Sequence, residues 1–235
     1  MNDHRDHCSK LLSLAVHEFR TPVAVVSGYL RLLVKHFGEN LTEKQLHLVQ
    51  ESEKSCATLS RLLADLGDLG QLEAGQTAMA RGPVAVFPLL REVALGVHEG
   101  RDRGVTLEVV TTEEEAIVEG DGGRLSEALA SILTAALRER PGVTRMVAHA
   151  AVHRNPTPRV VIAVADAETA PTLPAGGGPD DRFDEYRGGL GFRLPVAARI
   201  VEAHGGRLYS PVTERGHLAI VMTLPLTPAE AEKSG

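Results

Sequence analysis

The sequence predicts an α+β protein of two domains, in which an antiparallel helical hairpin is followed by an α/β sandwich. Two observations lead to this prediction. Apolar residues in the first third recur in alternating steps of four and three, whereas the remainder mixes short apolar runs with amphipathic stretches. The predicted bounds are 1–75 for the hairpin, 76–83 for a linker, 84–226 for the sandwich and 227–235 for a disordered tail.

The hairpin is predicted from two heptad seams that a short loop joins. Gly38 is typical of a helix end, and Thr42 is a suitable N-cap for the second helix. A single hairpin cannot bury both seams, so we predict a homodimer in which two hairpins form a four-helix bundle. The seams are Leu12, Val16, Phe19, Val23, Val26, Leu30, Leu33 and Phe37, followed by Val49, Ser52, Cys56, Leu59, Leu63 and Leu66.

In the second domain, apolar residues recur with the period of a helix in some segments and with that of a strand in others. This combination is typical of an α/β sandwich. One face of its central helix is expected to carry Leu125, Leu129, Ile132 and Leu133. A segment rich in Gly and Pro, 168–181, is expected to form a loop. The predicted helices are 86–97, 123–140 and 191–206, and the predicted strands are 105–111, 145–153, 158–166, 206–210 and 217–226.

Composition and charge argue against several classes of function. The net charge of −6 is not that of a general nucleic-acid binder. The sequence has no run of ~18 apolar residues, so no membrane insertion is predicted. With two cysteines, Cys8 and Cys56, we predict free thiols and a cytoplasmic location. The histidines show no metal-ligand spacing, so no metal site is predicted.

The motif HEFRTP in the first helix has the residue types that phosphoryl transfer to a histidine requires. His17 follows Val16 at the edge of the seam, so its ring is expected to face solvent. An imidazole is nucleophilic near neutral pH because much of it is unprotonated there. Glu18 is placed to orient the ring or to accept its proton. Thr21 lies one turn further on and can position a water, and Pro22 predicts a bend.

This motif resembles the H-box of sensor histidine kinases, and the hairpin resembles the dimerisation and phosphotransfer domain of that family. The resemblance implies that His17 is phosphorylated, that Glu18 assists the transfer, and that Thr21 takes part in dephosphorylating the partner. It also implies a homodimer whose partner is the receiver domain of a response regulator. The alternative is a surface histidine on a plain coiled coil. A mid-helix proline, which costs ~3 kcal/mol, disfavours that alternative.

The second domain resembles the ATP-binding catalytic domain of histidine kinases and related GHKL ATPases, which implies ATP and Mg²⁺ as cofactors. The helix predicted at 123–140 aligns with a family helix that carries two asparagines, but Ser131 and Ala135 stand at those positions. The second asparagine supplies an oxygen ligand to Mg²⁺, and the methyl group of Ala135 supplies none. Arg138 matches the basic position of that helix and is expected to meet a phosphate.

Two glycine motifs of the family are kept to different degrees. Asp166 stands where the family has the aspartate that reads the adenine amino group, but Glu168 and Ala170 replace the two glycines that follow it. The later GGLGF is better kept. The resemblance implies that Gly189 and Gly191 bind phosphate at the N-terminus of a helix. The replaced residues predict that binding of ATP and Mg²⁺ is impaired.

Three functions remain open at this point. An active kinase would phosphorylate His17 from ATP and pass the group to an aspartate of a response regulator, with Glu127 or Glu139 as a replacement metal ligand. An ATP-independent phosphotransferase or phosphatase would exchange the group with a regulator directly. A non-enzymatic dimeric adaptor has no need of the complete HEFRTP motif. The replaced nucleotide residues favour impaired or absent ATP turnover.

Overall fold

The computed structural model of the chain describes residues 2–111, 115–139, 144–154, 157–173, 182–211 and 219–227, without the side chains of residues 2–9 and Arg103. The chain divides into two compact units, Met1–Thr77 and Ala78–Gly235. Within the described part, no helix combines the length and the apolar character that crossing a membrane requires.

The first unit is a helical hairpin, as predicted. Helix α1 (Asn2–Phe37) ends before Gly38, and helix α2 (Glu43–Glu73) begins after the predicted N-cap, Thr42. The Thr42 hydroxyl accepts a hydrogen bond from Gln45 N at 3.4 Å, and Thr42 N donates to Gln45 Oε1 at 2.9 Å. This reciprocal capping box satisfies backbone donors that the first turn of α2 would otherwise leave unpaired.

Each predicted seam separates into two rows whose members lie seven residues apart, and one row is covered within the chain. Val16 on α1 and Cys56 on α2 are 4% and 8% exposed, and the members that continue their rows are half-buried except Phe37, which is exposed at the end of α1. In the second row of α1, Leu12 is half-buried, and the three members that follow it lie in solvent. We call these three residues the open row: Phe19, Val26 and Leu33, which are 60%, 49% and 39% exposed. Each predicted seam is therefore only partly covered within this chain.

The second unit is a five-stranded sheet packed against α3, α4 and α5, with a two-stranded sheet beside it. The large sheet has the order β2-β4-β5-β7-β6; β2 is parallel to β4, and the other neighbours are antiparallel. The helices are α3 (Val86–Gly96), α4 (Gly122–Arg138) and α5 (Arg193–Ala203). The strands are β1 (Gly82–Ala85), β2 (Thr106–Thr111), β3 (Ile117–Gly120), β4 (Arg145–His153), β5 (Arg159–Asp166), β6 (Arg207–Tyr209) and β7 (Ile220–Pro225).

Helix α4 is the centre of this unit, and its predicted apolar face is confirmed. Its leucines and isoleucine on that face are at most 1% exposed. Burying one such side chain stabilises a fold by about 1.5–3 kcal/mol. The face consists of Leu125, Leu129, Ile132 and Leu133.

Two short strands, β1 and β3, were not predicted from the sequence. β1 begins at Gly82, inside the predicted linker, and pairs antiparallel with β3. Four residues are too few to show an alternating pattern, so the pairing partner decides their conformation. The predicted loop 168–181 contains a 3₁₀ turn at Ala170–Thr172, and its residues 174–181 lie outside the described part of the chain.

Asp121 ties three segments of the second unit together. Its Oδ1 accepts from Arg124 N at 3.1 Å and so caps α4, and its Oδ2 accepts from Ala80 N at 3.0 Å. Its own N–H donates to His204 Nε2 at 2.9 Å, while His204 Nδ1 lies 2.7 Å from Ile200 O. His204, which showed no signal in the sequence, therefore joins the end of α5 to the start of α4.

We predict that Asp121→Asn weakens the acid sensitivity of the second unit. Hydrogen bonds from Arg124 N and Ala80 N hold the pKa of Asp121 below its ordinary value of 3.8. A depressed folded pKa stabilises the fold above the unfolded pKa, and this contribution disappears as the pH falls below 3.8. Asparagine keeps a cap but cannot titrate.

Urea unfolding at neutral pH and at about pH 3 measures this effect. The free energy of unfolding should fall less on acidification in Asp121→Asn than in the parent chain. The exposed Glu119→Gln, two residues away, should behave like the parent. Equal losses in all three proteins would contradict the assignment.

Candidate functional site

His17 lies on α1 with its side chain 78% exposed, as the sequence predicted. Its Nδ1 is 3.6 Å from Oε1 of Glu18, whose side chain is 71% exposed. At this separation the carboxylate orients and attracts the ring electrostatically without a full hydrogen bond. The opposite ring nitrogen, Nε2, is not engaged by this carboxylate.

The packing of α1 on α2 turns His17 outward. The preceding residue, Val16, is 4% exposed, and a Cβ added at Gly67 would lie 3.4 Å from its Cγ1. Leu12 lies one turn before Val16 on α1, and a Cβ added at Gly70 of α2 would lie 3.3 Å from its Cδ2. The glycines of α2 therefore let α1 approach closely. Because successive helical residues are about 100° apart, burying Val16 places His17 beside the hairpin and not within it.

Thr21 and Pro22 follow one turn after His17. Thr21 is exposed and at i+4, so it lies on the same face of α1 as the imidazole. Pro22 is inside α1 and has no N–H, so the carbonyl of Glu18 lacks its intrahelical donor. The helix nevertheless continues to Phe37. The bend at Pro22 and the role of Thr21 stay predictions.

In the second unit, Asp166 ends β5 with its carboxylate already hydrogen-bonded. Thr169 N donates to Oδ1 at 3.0 Å, and the Thr169 hydroxyl lies 2.8 and 2.9 Å from the two carboxylate oxygens. Ala170, at the second glycine position of the family motif, is 1% exposed. The segment therefore closes on itself as a turn in which the aspartate accepts from its own chain.

The two positions that carry asparagine in the family are buried and filled. Ser131 is 1% exposed, and its hydroxyl donates to Glu127 O at 3.0 Å. Ala135 is fully buried beneath Gly188, which has a left-handed φ of 70°. A Cβ at Gly188 would lie 3.2 Å from Ala135 Cα and 3.3 Å from its Cβ. Backbone therefore occupies the space next to the Ala135 methyl.

We call Arg187–Gly189 the glycine turn, and Arg187 fixes it to α4. The Arg187 side chain is 4% exposed, and its Nε donates to Glu139 Oε2 at 2.6 Å. Its Nη1 donates to Ser210 Oγ at 2.7 Å. Removing one partner from a buried pair of this kind costs about 3–5 kcal/mol, because the other charge remains buried.

The predicted phosphate-binding residues are engaged with each other. Arg138 donates from Nη1 to Gly189 O at 3.2 Å and from Nε to Glu99 Oε2 at 3.0 Å. Gly189 and Gly191 have left-handed φ values of 60° and 63°, which glycine adopts without strain. The structure thus brings Arg138 and Gly189 together and places Asp166 on a different element.

A magnesium ion needs a near-octahedral set of oxygen ligands, and the described residues at the family's asparagine positions do not supply one. Ala135 presents a methyl group, the Ser131 hydroxyl donates within its own helix, and Glu127 and Glu139 are each paired with an arginine. Across the described ranges, no three His, Cys, Asp or Glu side chains come together as a metal-binding group. Among the described residues, the side chains at these positions therefore supply no ready set of oxygen ligands for Mg²⁺.

Sequence reasoning missed Arg187 and Thr169 as determinants of this region, and it placed Gly188 in the glycine motif without predicting its contact with Ala135. Arg187 stands directly before the glycine motif, but burial of an arginine depends on Glu139, which lies 48 residues earlier. Thr169 follows Asp166 at i+3, a spacing that could have indicated a local turn.

Comparison with known proteins agrees with both units. Residues 9–75 match the family model described as the His Kinase A (phospho-acceptor) domain. The chain is 30% identical over 194 residues to the sensor protein DivL of Caulobacter vibrioides, covering 81% of this chain and 24% of DivL. It is 30% identical over 226 residues to the signal transduction histidine-protein kinase BaeS of Escherichia coli, covering 89% of this chain and 45% of BaeS.

Solved structures extend the likeness to the fold. Full-length ShkA, crystallised in complex with AMPPNP, aligns with a TM-score of 0.71 and 27% identity over 93% of this chain and 46% of ShkA. The Acinetobacter baumannii histidine kinase AdeS has a TM-score of 0.56 at 17% identity and shares the fold. The predicted helical hairpin followed by a GHKL-type domain is confirmed. The chain belongs to the histidine kinase family of two-component signalling proteins and spans less than half the length of DivL, BaeS and ShkA.

We predict that restoring asparagine at position 135 does not create a nucleotide site. The added atoms would meet the backbone of Gly188, so Ala135→Asn should lower the free energy of unfolding by about 1–3 kcal/mol through overpacking. Calorimetric titration with ATP and Mg²⁺ should show no gain in binding.

The half-buried Ala130→Asn on the same helix is the matched control. It carries the same helix-propensity cost of about 0.7 kcal/mol without the clash. If both variants lost equal stability, or if Ala135→Asn acquired Mg²⁺-dependent ATP binding, the role given to Gly188 would be wrong.

Proposed function

We propose that this protein carries a phosphoryl group on His17 and exchanges it with an aspartate in the receiver domain of a response regulator, without ATP turnover at its own second unit. The observation that carries the proposal is a contrast between the two units. The His17 ring is open to solvent beside Glu18, whereas Ala135 is covered by Gly188. A histidine that exchanges phosphate with a partner needs access, and it does not need a nucleotide bound to the same chain.

The geometry supports Nε2 as the ring nitrogen that attacks. Because Glu18 lies beside Nδ1, it favours the proton on that nitrogen and leaves the lone pair on Nε2. Nε2 attacks the phosphorus of an aspartyl phosphate, a nitrogen–phosphorus bond forms, and the bond from phosphorus to the aspartate oxygen breaks. The aspartate leaves as a carboxylate. The positive charge that develops on the imidazole is stabilised by Glu18.

The open row supports a homodimer as the working form. Phe19, Val26 and Leu33 lie on one face of α1 and expose a continuous apolar stripe. Pairing two hairpins through these stripes buries them in a four-helix bundle. A neighbouring stripe, Val25, Tyr29 and Leu32, is 49–65% exposed and lies after His17 on α1. We assign this second stripe to the receiver domain. The cytoplasmic location stays a prediction.

The transfer is tested by labelling. A panel of receiver domains is loaded with labelled phosphoryl groups from acetyl phosphate, and the label on this protein is then measured. We expect label on the parent chain and on His36→Ala, a second exposed histidine of α1, and at least about 100-fold less on His17→Ala. Labelled ATP with Mg²⁺ should leave all three proteins unlabelled.

Two results would refute separate parts of the proposal. Equal label on His17→Ala, or none on the parent from any receiver domain, would exclude His17 as the carrier. Efficient labelling of His17 from ATP would instead exclude the ATP-independent part and leave the carrier residue in place.

The dimer is tested at Val26. Val26→Glu places one carboxylate from each subunit in the same apolar seam, so the dissociation constant of the dimer should rise about 100-fold. Sedimentation equilibrium measures it. Ala24→Glu, which is exposed two residues earlier and lies on another face of α1, is the matched control and should leave dissociation unchanged. An unchanged dimer in Val26→Glu would rule out the open row as the interface.

A further inference from the structure

A cavity of about 690 Å³ lies between α3 and β2, at one edge of the second unit. Its size is within the ~300–1,000 Å³ typical of small-molecule sites. It lies on a different face of α4 from the glycine turn, because Leu137 lines the cavity whereas Ala135 packs under Gly188. Its walls are mainly aliphatic and include Ala94, Val97, Val105, Leu107, Val109 and Leu137.

The cavity is formed by an edge strand and remains open to solvent. β2 is the first strand in the order of the large sheet, so one of its edges has no neighbouring strand in that sheet. Leu107 and Val109 are half-buried on the cavity side of β2, while Glu108 and Val110 on the other side are exposed. Leu95 of α3 contributes to the lining and is 77% exposed. An aliphatic ligand would cover this apolar surface.

The charged residues that line the cavity favour an anion. Arg101 is exposed, and among the described residues its guanidinium makes no hydrogen bond or ion pair. Arg91 donates from Nη2 to Thr111 Oγ1 at 2.7 Å, which uses one of its five N–H donors. The carboxylate of Glu99 is held by Arg138 at 3.0 Å, so its charge is already compensated.

We propose that this cavity binds an amphipathic small molecule, whose aliphatic chain lies between α3 and β2 and whose carboxylate meets Arg101 and Arg91. The apolar walls supply most of the binding free energy, as in other ligand pockets, and the guanidinium groups fix the orientation of the head group. A site of this kind is independent of ATP and of phosphoryl transfer at His17.

The probe is decanoate, titrated into the full chain by isothermal calorimetry. We expect saturable binding to one site per chain. Ala94→Trp, which fills the cavity from α3, should weaken binding at least about tenfold. Arg101→Gln should weaken it several-fold, and decanol, which has the same chain without the charge, should bind the parent several-fold more weakly than decanoate. Arg61→Gln, on the hairpin, is the control and should not change binding.

A second variant keeps the test decisive if Ala94→Trp does not fold. Leu95→Glu replaces a side chain that is 77% exposed and places a negative charge beside the expected carboxylate, so binding should again weaken at least about tenfold. The proposal fails if decanoate does not saturate, or if it binds Leu95→Glu as tightly as the parent chain. Tighter binding of decyltrimethylammonium than of decanoate would show that the site prefers a cationic head group and would refute the proposed role of the two arginines. Loss of dimerisation in Leu95→Glu, without decanoate binding to the parent, would show that the cavity is a contact between copies.

Discussion

Val16 packs against α2 at the point where Gly67 leaves room for it, and this contact sets the orientation of the reactive part of α1. A helix has one rotation about its axis, so fixing one residue inward fixes the faces of all others. With Val16 buried, His17 faces solvent, and the open row lies beside the covered row with its members exposed. A methyl group added at Gly67 would make an ordinary contact with Val16 at 3.4 Å, and one added at Gly70, 3.3 Å from Leu12 Cδ2, would require a small shift of that side chain. The reactive ring and the apolar stripe thus depend on the same close approach of two helices.

In the hairpin, close packing of two helices leaves His17 in solvent, whereas in the second unit close packing fills the space beside Ala135. Ala135 and Gly188 are in contact because both are small, and the turn that brings Gly188 there is fixed by the buried Arg187–Glu139 pair. Burying an ion pair is expensive unless geometry and further hydrogen bonds compensate the desolvation. Here the Ser210 hydroxyl supplies one such bond. The small residue at position 135 and the position of the turn therefore depend on each other.

Sequence reasoning succeeded where a feature depends on neighbours along the chain. The Thr42 cap, the heptad spacing around Val16 and the apolar face of α4 are local patterns, and the structure confirms them. β1 escaped prediction because its four residues owe their conformation to pairing with β3. Features of the candidate site that depend on residues far away along the chain were missed for the same reason.

Exposure of His17 follows from its position next to Val16, so the sequence could predict it. Burial of Arg187 depends on a partner 48 residues away, and nothing in the local sequence distinguishes a buried arginine from a solvated one. Replacement of the asparagine at position 135 was visible in the sequence. The backbone contact of Gly188 that fills the space beside position 135 could be seen only in the three-dimensional structure.

Arg138 connects the two regions of the second unit that this structure distinguishes. It pairs with Glu99, which lines the cavity, and donates to the carbonyl of Gly189 in the glycine turn. An anion bound at Arg101 would add a negative charge near Glu99 and so alter the field around Arg138. Such a connection transmits a signal only if Arg138 has two arrangements of similar free energy. The exposed side chain of Arg138, 41% accessible, has the room for a second rotamer, whereas Arg187 at 4% does not. Arg138 is therefore a side chain through which the glycine turn can respond to the cavity, while Arg187 holds the turn in place.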